Sequence, residues 1–303
     1  MMRELSDWDW QPPTAIGVTG ASGFIGSAVA KGLAEEGEPV VALTRSEERL
    51  RERGVSGEAV VGDLLDRDAL RRLVEGSSVI YHFGGVAHLP QARQDPAEAL
   101  AVNALGAVIL AKLAKARRII YASSQVVYET GGIRQGLVSE DTPLPIFQEG
   151  EVAAWIRTAL ETFDRLAETY LADETMTPDE LRTQVRAFLD EHPIPSSVTN
   201  PYGLSKYLGE QAMATAANAV VIRMTNVYGP GDIVEDAKMA LWIGKMLRDE
   251  PLTQAVGSAV WTDARQYLYI DDLVKILIKI GSLKSPPKLL VVTSPELTDS
   301  PTL

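Results

Sequence analysis

From Thr14 onward, short β-branched and aliphatic runs alternate with stretches whose apolar positions recur at helical spacing, and that rhythm predicts a parallel sheet with helices on both faces. Ala15–Thr19, Val40–Thr44, Glu58–Val61, Val79–His82 and Arg118–Ser123 read as the first five strands. Helices are expected over Ser27–Glu36, ended by Gly37, and over the Ala- and Leu-rich Pro96–Ala116, while Ser46 and Asp66 stand where they cap the helices that follow them. Further on, Ser205–Ala217 predicts a helix, Val220–Met224 a strand, Met239–Arg248 and Asp272–Ile280 helices, and Lys288–Val292 a last strand. Between Gly131 and Thr199 the rhythm breaks into two helical patterns with no strand. One is Glu151–Leu171; the other opens at Thr177-Pro178-Asp179-Glu180, a capping box with proline at the first helical position, and stops at His192-Pro193-Ile194-Pro195. So long an insertion reads either as a solvated hairpin with no chemical role or as a lid or partner-binding arm.

The first strand runs into Thr19-Gly20-Ala21-Ser22-Gly23-Phe24-Ile25-Gly26, which opens a helix. In that context the glycines have separate tasks: Gly20 for the tight turn, Gly23 for close approach of a pyrophosphate, and Gly26 for close packing of helix on strand. The helix start then offers unpaired N–H groups and a partial positive charge to phosphates. Strand two ends Ala42-Leu43-Thr44-Arg45, with a basic group where NAD-binding chains often carry a carboxylate, so Arg45 tilts the expectation from NAD toward NADP without closing it. Asp63 and Leu64, after strand three, are placed to meet the adenine edge.

Tyr202-Gly203-Leu204-Ser205-Lys206 sets a tyrosine and a lysine one helical turn apart, on one face. A free tyrosine is a poor base near neutrality, but a neighbouring ammonium and an oxidised nicotinamide ring both favour its phenolate. The pair resembles the Tyr-x-x-x-Lys of short-chain dehydrogenases. Around it, Ser123-Ser124-Gln125-Val126-Val127-Tyr128 resembles the Ser-Ser-x-x-Val-Tyr segment of the extended branch, and Tyr81-His82-Phe83-Gly84-Gly85 its cofactor-lining stretch after strand four. Arg223-Met224-Thr225-Asn226-Val227-Tyr228-Gly229-Pro230-Gly231 and Arg265-Gln266-Tyr267-Leu268-Tyr269-Ile270-Asp271-Asp272 are similar to two segments of the nucleotide-sugar epimerases and dehydratases.

The resemblance implies a Rossmann-type doubly wound sheet with a small substrate lobe, and a catalytic set of Ser124, Tyr202 and Lys206. It implies cofactor contacts from Gly20, Ser22, Gly23, Phe24, Ile25, Gly26, Arg45, Asp63, Leu64, Phe83, Gly84, Asn103, Tyr202 and Lys206, and substrate contacts from Ser124, Asn226 and Arg265. The domain division it suggests is a nucleotide-binding core over 14–130 and 199–228, a helical insertion over 131–198, and mainly substrate-lobe segments over 229–303. The family's usual homodimer would pair the Pro96–Ala116 helix with the helix near Ser205. Two departures matter. Gln125-Val126 replaces the Asp-Glu of the 4,6-dehydratases, so elimination of water by that route is not expected, and little chain follows Val292 to close a sugar-nucleotide pocket.

Composition narrows the chemistry. With 41 acidic against 29 basic residues the formal charge is −12, which repels nucleic acid and anionic membranes. There are no cysteines, and the three histidines fit no metal motif, so no metal is expected. No apolar run approaches the ~20 residues of a membrane span and the start lacks signal-peptide order, so the expected place is the cytoplasm. The resulting expectation is NAD(P)-dependent hydride transfer on a secondary alcohol or ketone of a sugar nucleotide or related small molecule, epimerase-like. The alternatives are an NADPH-dependent ketoreductase and a cofactor-binding regulatory protein without turnover.

Overall fold

The computed structural model describes residues 15–130, 137–231 and 266–295; the expected helix Met239–Arg248 and Arg265 lie outside them. The described strands are β1 (Ala15–Thr19), β2 (Val40–Thr44), β3 (Glu58–Val61), β4 (Ser77–His82), β5 (Arg118–Ser124), β6 (Ala219–Met224), β7 (Asn226–Tyr228), β8 (Tyr267–Tyr269) and β9 (Leu289–Val292). Seven form one sheet in the order β3-β2-β1-β4-β5-β6-β9, every described pairing parallel, while β7 and β8 pair apart from it. The strand order reverses at β1, which opens a crevice at the carboxyl ends of β1 and β4.

The helices are α1 (Phe24–Glu35), α2 (Glu47–Glu52), α3 (Arg67–Glu75), α4 (Leu89–Gln94), α5 (Pro96–Leu100), α6 (Gly106–Ala114), α7 (Pro145–Gln148), α8 (Gly150–Ala172), α9 (Pro178–Glu191), α10 (Pro201–Ala214) and α11 (Ile270–Ser282). A π turn, Ala101–Leu105, joins α5 to α6. Ser46 caps α2, Asp66 caps α3, and Thr177 and Glu180 form the expected capping box of α9. Because the sheet is covered on both sides, a strand such as β2, Val40–Thr44, is buried on both faces rather than alternating between core and solvent. Along β2, Val40 and Ala42 face a layer built with α1 and α11, and Val41 and Leu43 face the opposite layer with α3, α6, α8 and α10.

Three expectations need correction. The helices of the 131–198 segment are not a solvated hairpin: Val152, Ile156, Ala159 and Phe163 of α8 and Leu181, Val185 and Phe188 of α9 are buried in the main core. An amphipathic helix gains most by covering an existing apolar face, and here that face is α5, α6 and α10. Residues 270–292 do not belong to a separate lobe either. Leu273, Leu277 and Ile280 of α11 pack beside α1, and β9 extends the sheet by pairing with β6. Finally, the stretch Pro96–Ala114 is long and apolar enough to cross a membrane, although the sequence suggested no such run; 78% of it is buried, as in a core helix.

Candidate active site

The glycine-rich turn lies at the carboxyl end of β1, against the turn that follows β4. Gly20 has φ +65°, and a Cβ there would meet the Gly84 backbone nitrogen at 2.7 Å, so both the conformation and the close approach demand glycine. A Cβ on Gly26 would collide with the Gly20 carbonyl oxygen, which is the close packing expected of it. On Gly23 it would touch that same oxygen at 3.1 Å and meet little else. Gly23 begins α1 without a side-chain cap, and no acidic residue sits in the first turn. The amides of Phe24, Ile25 and Gly26 therefore have no intrahelical acceptor and can donate to a phosphate. Ser22 accepts a hydrogen bond of 3.1 Å from Thr44 at the end of β2. The turn thus fits a dinucleotide pyrophosphate.

Beside it, Ser22, Arg45, Ser46, Glu48, Arg49 and Glu52 line an open cavity. Leu64 packs on Gly84, where an added Cβ would lie 2.7 Å from a Leu64 methyl. Asp63, next to Leu64, accepts from the Leu65 amide at 2.9 Å and pairs with Arg182 of α9 at 3.1 Å. Sequence reasoning missed Arg182, because only folding brings α9 to this edge.

Behind the crevice, the Thr19 hydroxyl accepts the Gly84 amide hydrogen at 3.0 Å and shares a 2.8 Å hydrogen bond with His82 Nδ1. Phe83 is half-buried and stacks on Tyr81 at 6.2 Å. Burial, aided by nearby Lys206, pushes His82 down to about 3, so it is neutral and no proton donor near pH 7. Asn103 needs a different role from the one the resemblance gave it. Its amide group donates to the Val86 carbonyl and the Ser205 hydroxyl, both at 2.9 Å, and its Oδ1 accepts the Val86 amide at 2.8 Å. With both N–H groups committed inside the protein, Asn103 acts on the site by clamping the 84–86 turn to α10.

Asn200 caps α10 by accepting the Gly203 amide at 2.9 Å, which fixes the first turn that carries Tyr202. Tyr202 is half-buried and packs, like Leu64, against Val86, Ala92, Ala99 and Val102. Burial pushes its hydroxyl up to about 12, and the hydrogen bond with Ser124 opposes that rise. Ser124, at the end of β5, also caps the turn Gln125–Glu129 by accepting the Val126 amide. Lys206 lies on the same face of α10, 5% exposed, its Nζ donating to the Ala122 carbonyl at 3.0 Å and 5.5 Å from the Tyr121 ring centre. Burial pulls Lys206 down from 10.5 to about 8, with Glu210 acting against the fall.

The lowered value makes a stability prediction. Below pH 8 both folded and unfolded chains carry the lysine proton, and the folded state bears the full cost of burying it; the cost fades between pH 8 and 10.5, where only the unfolded chain holds the proton. The shift corresponds to roughly 3 kcal/mol, and losing the bond to Ala122 gives back about 1 kcal/mol. Lys206→Met is therefore expected to stabilise the protein by about 2 kcal/mol at pH 7, the gain shrinking toward pH 10.5. Urea unfolding of both proteins across that range checks it; a less stable variant at pH 7 would refute it.

Deeper still, Arg223 grips Glu210 with two hydrogen bonds of 2.9 and 2.7 Å and donates to the Tyr128 hydroxyl at 2.8 Å, while the Ser123 hydroxyl donates to Glu210 at 2.5 Å. Arg223 and Glu210 are each 5% exposed. The network joins β5, α10 and β6 directly behind Ser124 and Lys206. The sequence displayed Arg223 only as a motif letter, and Glu210 gave no signal. Asn226, on β7, donates to the Gln266 carbonyl at 3.3 Å and has no described contact with the Ser124–Tyr202–Lys206 set.

A doubly wound parallel sheet with a glycine turn at its switch point and a Ser–Tyr–Lys set beside it defines a dinucleotide-binding protein of the extended short-chain dehydrogenase/reductase class. The model of the NAD-dependent epimerase/dehydratase family matches residues 16–148 and 176–290, and the chain belongs to that family. The unmatched stretch between the two segments contains α8. The chain is 32% identical over 148 residues to dTDP-4-dehydrorhamnose reductase of Mycolicibacterium smegmatis, covering 48% of this chain and 39% of that protein. It is 24% identical to UDP-glucose 4-epimerase of Haemophilus influenzae, over 89% of this chain and 72% of that one. Among solved structures, MoeE5 in complex with UDP-glucose and NAD superposes with a TM-score of 0.66 at 23% identity, over 95% of this chain and 78% of that one. UDP-glucose 4-epimerase of Thermus thermophilus, in complex with NAD, gives 0.62 at 20% identity, over 94% and 79%. These superpositions agree with the fold described above.

Proposed function

We propose that the protein moves hydride between a bound nicotinamide dinucleotide and a secondary alcohol or ketone of a nucleotide sugar, as an epimerase does. The observation that carries this reading is the placement of Tyr202 beside Ser124 and one helical turn from buried Lys206. The bound cofactor supplies the hydride acceptor and, when oxidised, a positive charge. The protein's own groups handle the proton. Tyr202, held up to about 12, keeps its proton at neutral pH and can give it to an alkoxide as a carbonyl is reduced. In the opposite direction its deprotonation needs positive charge nearby, and the Lys206 ammonium lies on that side. Ser124 orients the reacting oxygen.

Arg45 and Arg49, in the cavity they line with Ser22, Ser46, Glu48 and Glu52, support a second reading, an NADPH-dependent ketoreductase, because guanidinium groups suit a ribose 2′-phosphate. Replacing both Arg45 and Arg49 by Ala is expected to weaken NADPH binding about tenfold or more and leave NADH binding nearly unchanged. Equal effects on the two would remove the phosphate role. Denaturing the purified protein and weighing the released nucleotide by mass spectrometry separates the readings. Near-stoichiometric retained cofactor supports an epimerase cycle, reversible NADPH binding to an otherwise empty protein supports a reductase, and binding of neither NAD nor NADP refutes both.

A further inference from the structure

Helix α9 reaches the adenine side of the crevice through one side chain. Arg182 donates through Nε to Glu98 of α5 at 3.0 Å and pairs through its terminal nitrogen with Asp63 Oδ1 at 3.1 Å. Its three carboxylate partners include Asp179, which is exposed; the other two are partly buried, as is Arg182 itself. One turn further along the same face of α9, Arg186 holds Asp95, the N-cap of α5, with two hydrogen bonds of 3.1 and 2.7 Å. The helix is thereby fixed in register against α5, and the Arg182 guanidinium is presented at a set distance from the loop after β3.

That loop borders the cofactor crevice. Leu64 touches Gly84, and Gly84 touches Gly20 at the phosphate turn. Both described contacts of the Asp63 carboxylate, the Leu65 amide and Arg182, fall on Oδ1. Among the described residues Oδ2 has no partner. A carboxylate whose one oxygen is held by a backbone amide and a guanidinium keeps the other in a fixed place, where it accepts but cannot donate.

We propose that Arg182 is a positioning residue for the cofactor: it sets Asp63 so that the free oxygen accepts the exocyclic amino group of adenine, making α9 part of the nucleotide site. The inference rests on the dinucleotide reading above. Without Arg182, Asp63 and Glu98 face one another uncompensated, and Asp63 loses the partner that fixes it. Adenine presents an amino donor at this position, whereas hypoxanthine presents a carbonyl acceptor, which a carboxylate repels.

The test is direct binding, by calorimetry on the full chain, of NADPH and of its hypoxanthine analogue. The wild-type protein is expected to prefer the adenine form about tenfold or more, the value of a hydrogen bond to a charged group. Arg182→Gln should bring the two affinities to within about twofold, and Arg182→Lys should restore part of the preference. A merely structural role would weaken both ligands equally and leave their ratio untouched, which would overturn the proposal, as would a wild-type protein that binds both alike. Asp63→Asn, whose amide can donate to hypoxanthine, should shift preference toward the analogue; an unchanged ratio there also overturns it. If Arg182→Gln does not fold, the Arg182→Lys protein decides, since a single ammonium cannot span both carboxylates and an unaltered ratio would exclude positioning. A wild-type protein that binds no dinucleotide refutes the functional reading itself, a result distinct from all of these.

Discussion

Tyr202→Phe is expected to lower turnover about a thousandfold while leaving the fold unchanged, since a positioned proton donor contributes on the order of 10²–10⁴. The phenyl ring keeps the contacts with Val86, Ala92, Ala99 and Val102, so the loss isolates the hydroxyl. The matching pH profile follows from the two groups. With Tyr202 held up to about 12, carbonyl reduction should be flat through neutrality; it should decline above about 8, where Lys206 gives up its charge. Turnover of a sugar-nucleotide substrate by both proteins, with thermal melts beside it, is the measurement. A variant retaining more than about a tenth of the activity would mean that the proton comes from elsewhere.

Breaking the Arg223–Glu210 pair carries the largest expected cost in stability. Arg223→Met leaves the buried Glu210 carboxylate with the Ser123 hydroxyl as its remaining hydrogen-bond partner among the described residues, and orphaning one member of a buried pair costs about 3–5 kcal/mol. Replacing both members by apolar residues of similar volume is expected to recover most of that loss, because no uncompensated charge remains. The double variant should still turn over more slowly than the wild type, as Arg223 also holds Tyr128 and Glu210 also holds Ser123, the residue before Ser124. Denaturant unfolding of the single and double variants decides it. A single variant losing less than about 1 kcal/mol would show that Glu210 takes up a proton and stays neutral.

Much of the site could be read from the chain because its parts are local. A glycine with positive φ, a capping residue and a tyrosine four places before a lysine each express a constraint acting over a few residues. Gly20, Asn200 and the Tyr202–Lys206 pair are of this kind. Asn103 shows the limit of such reading: its position was legible, but its partners, Val86 and Ser205, lie 17 and 102 residues away. What the helices of 131–198 cover was not legible for a related reason. An amphipathic helix declares that it has an apolar face and says nothing of what covers it, and only the fold shows α8 and α9 laid on α5, α6 and α10.

The sequence by itself determined the alternation of strands and helices through the main sheet, its parallel pairing and the glycine turn after β1, because periodicity, caps and glycine conformations are written within a few residues. The tertiary structure alone decided that β9 closes the sheet beside β6, that Arg223 and Glu210 brace the site from behind, and that Arg182 reaches Asp63 from 119 residues away. Those arrangements depend on which apolar faces cover one another, and charged side chains find their partners only after that packing has brought distant helices together.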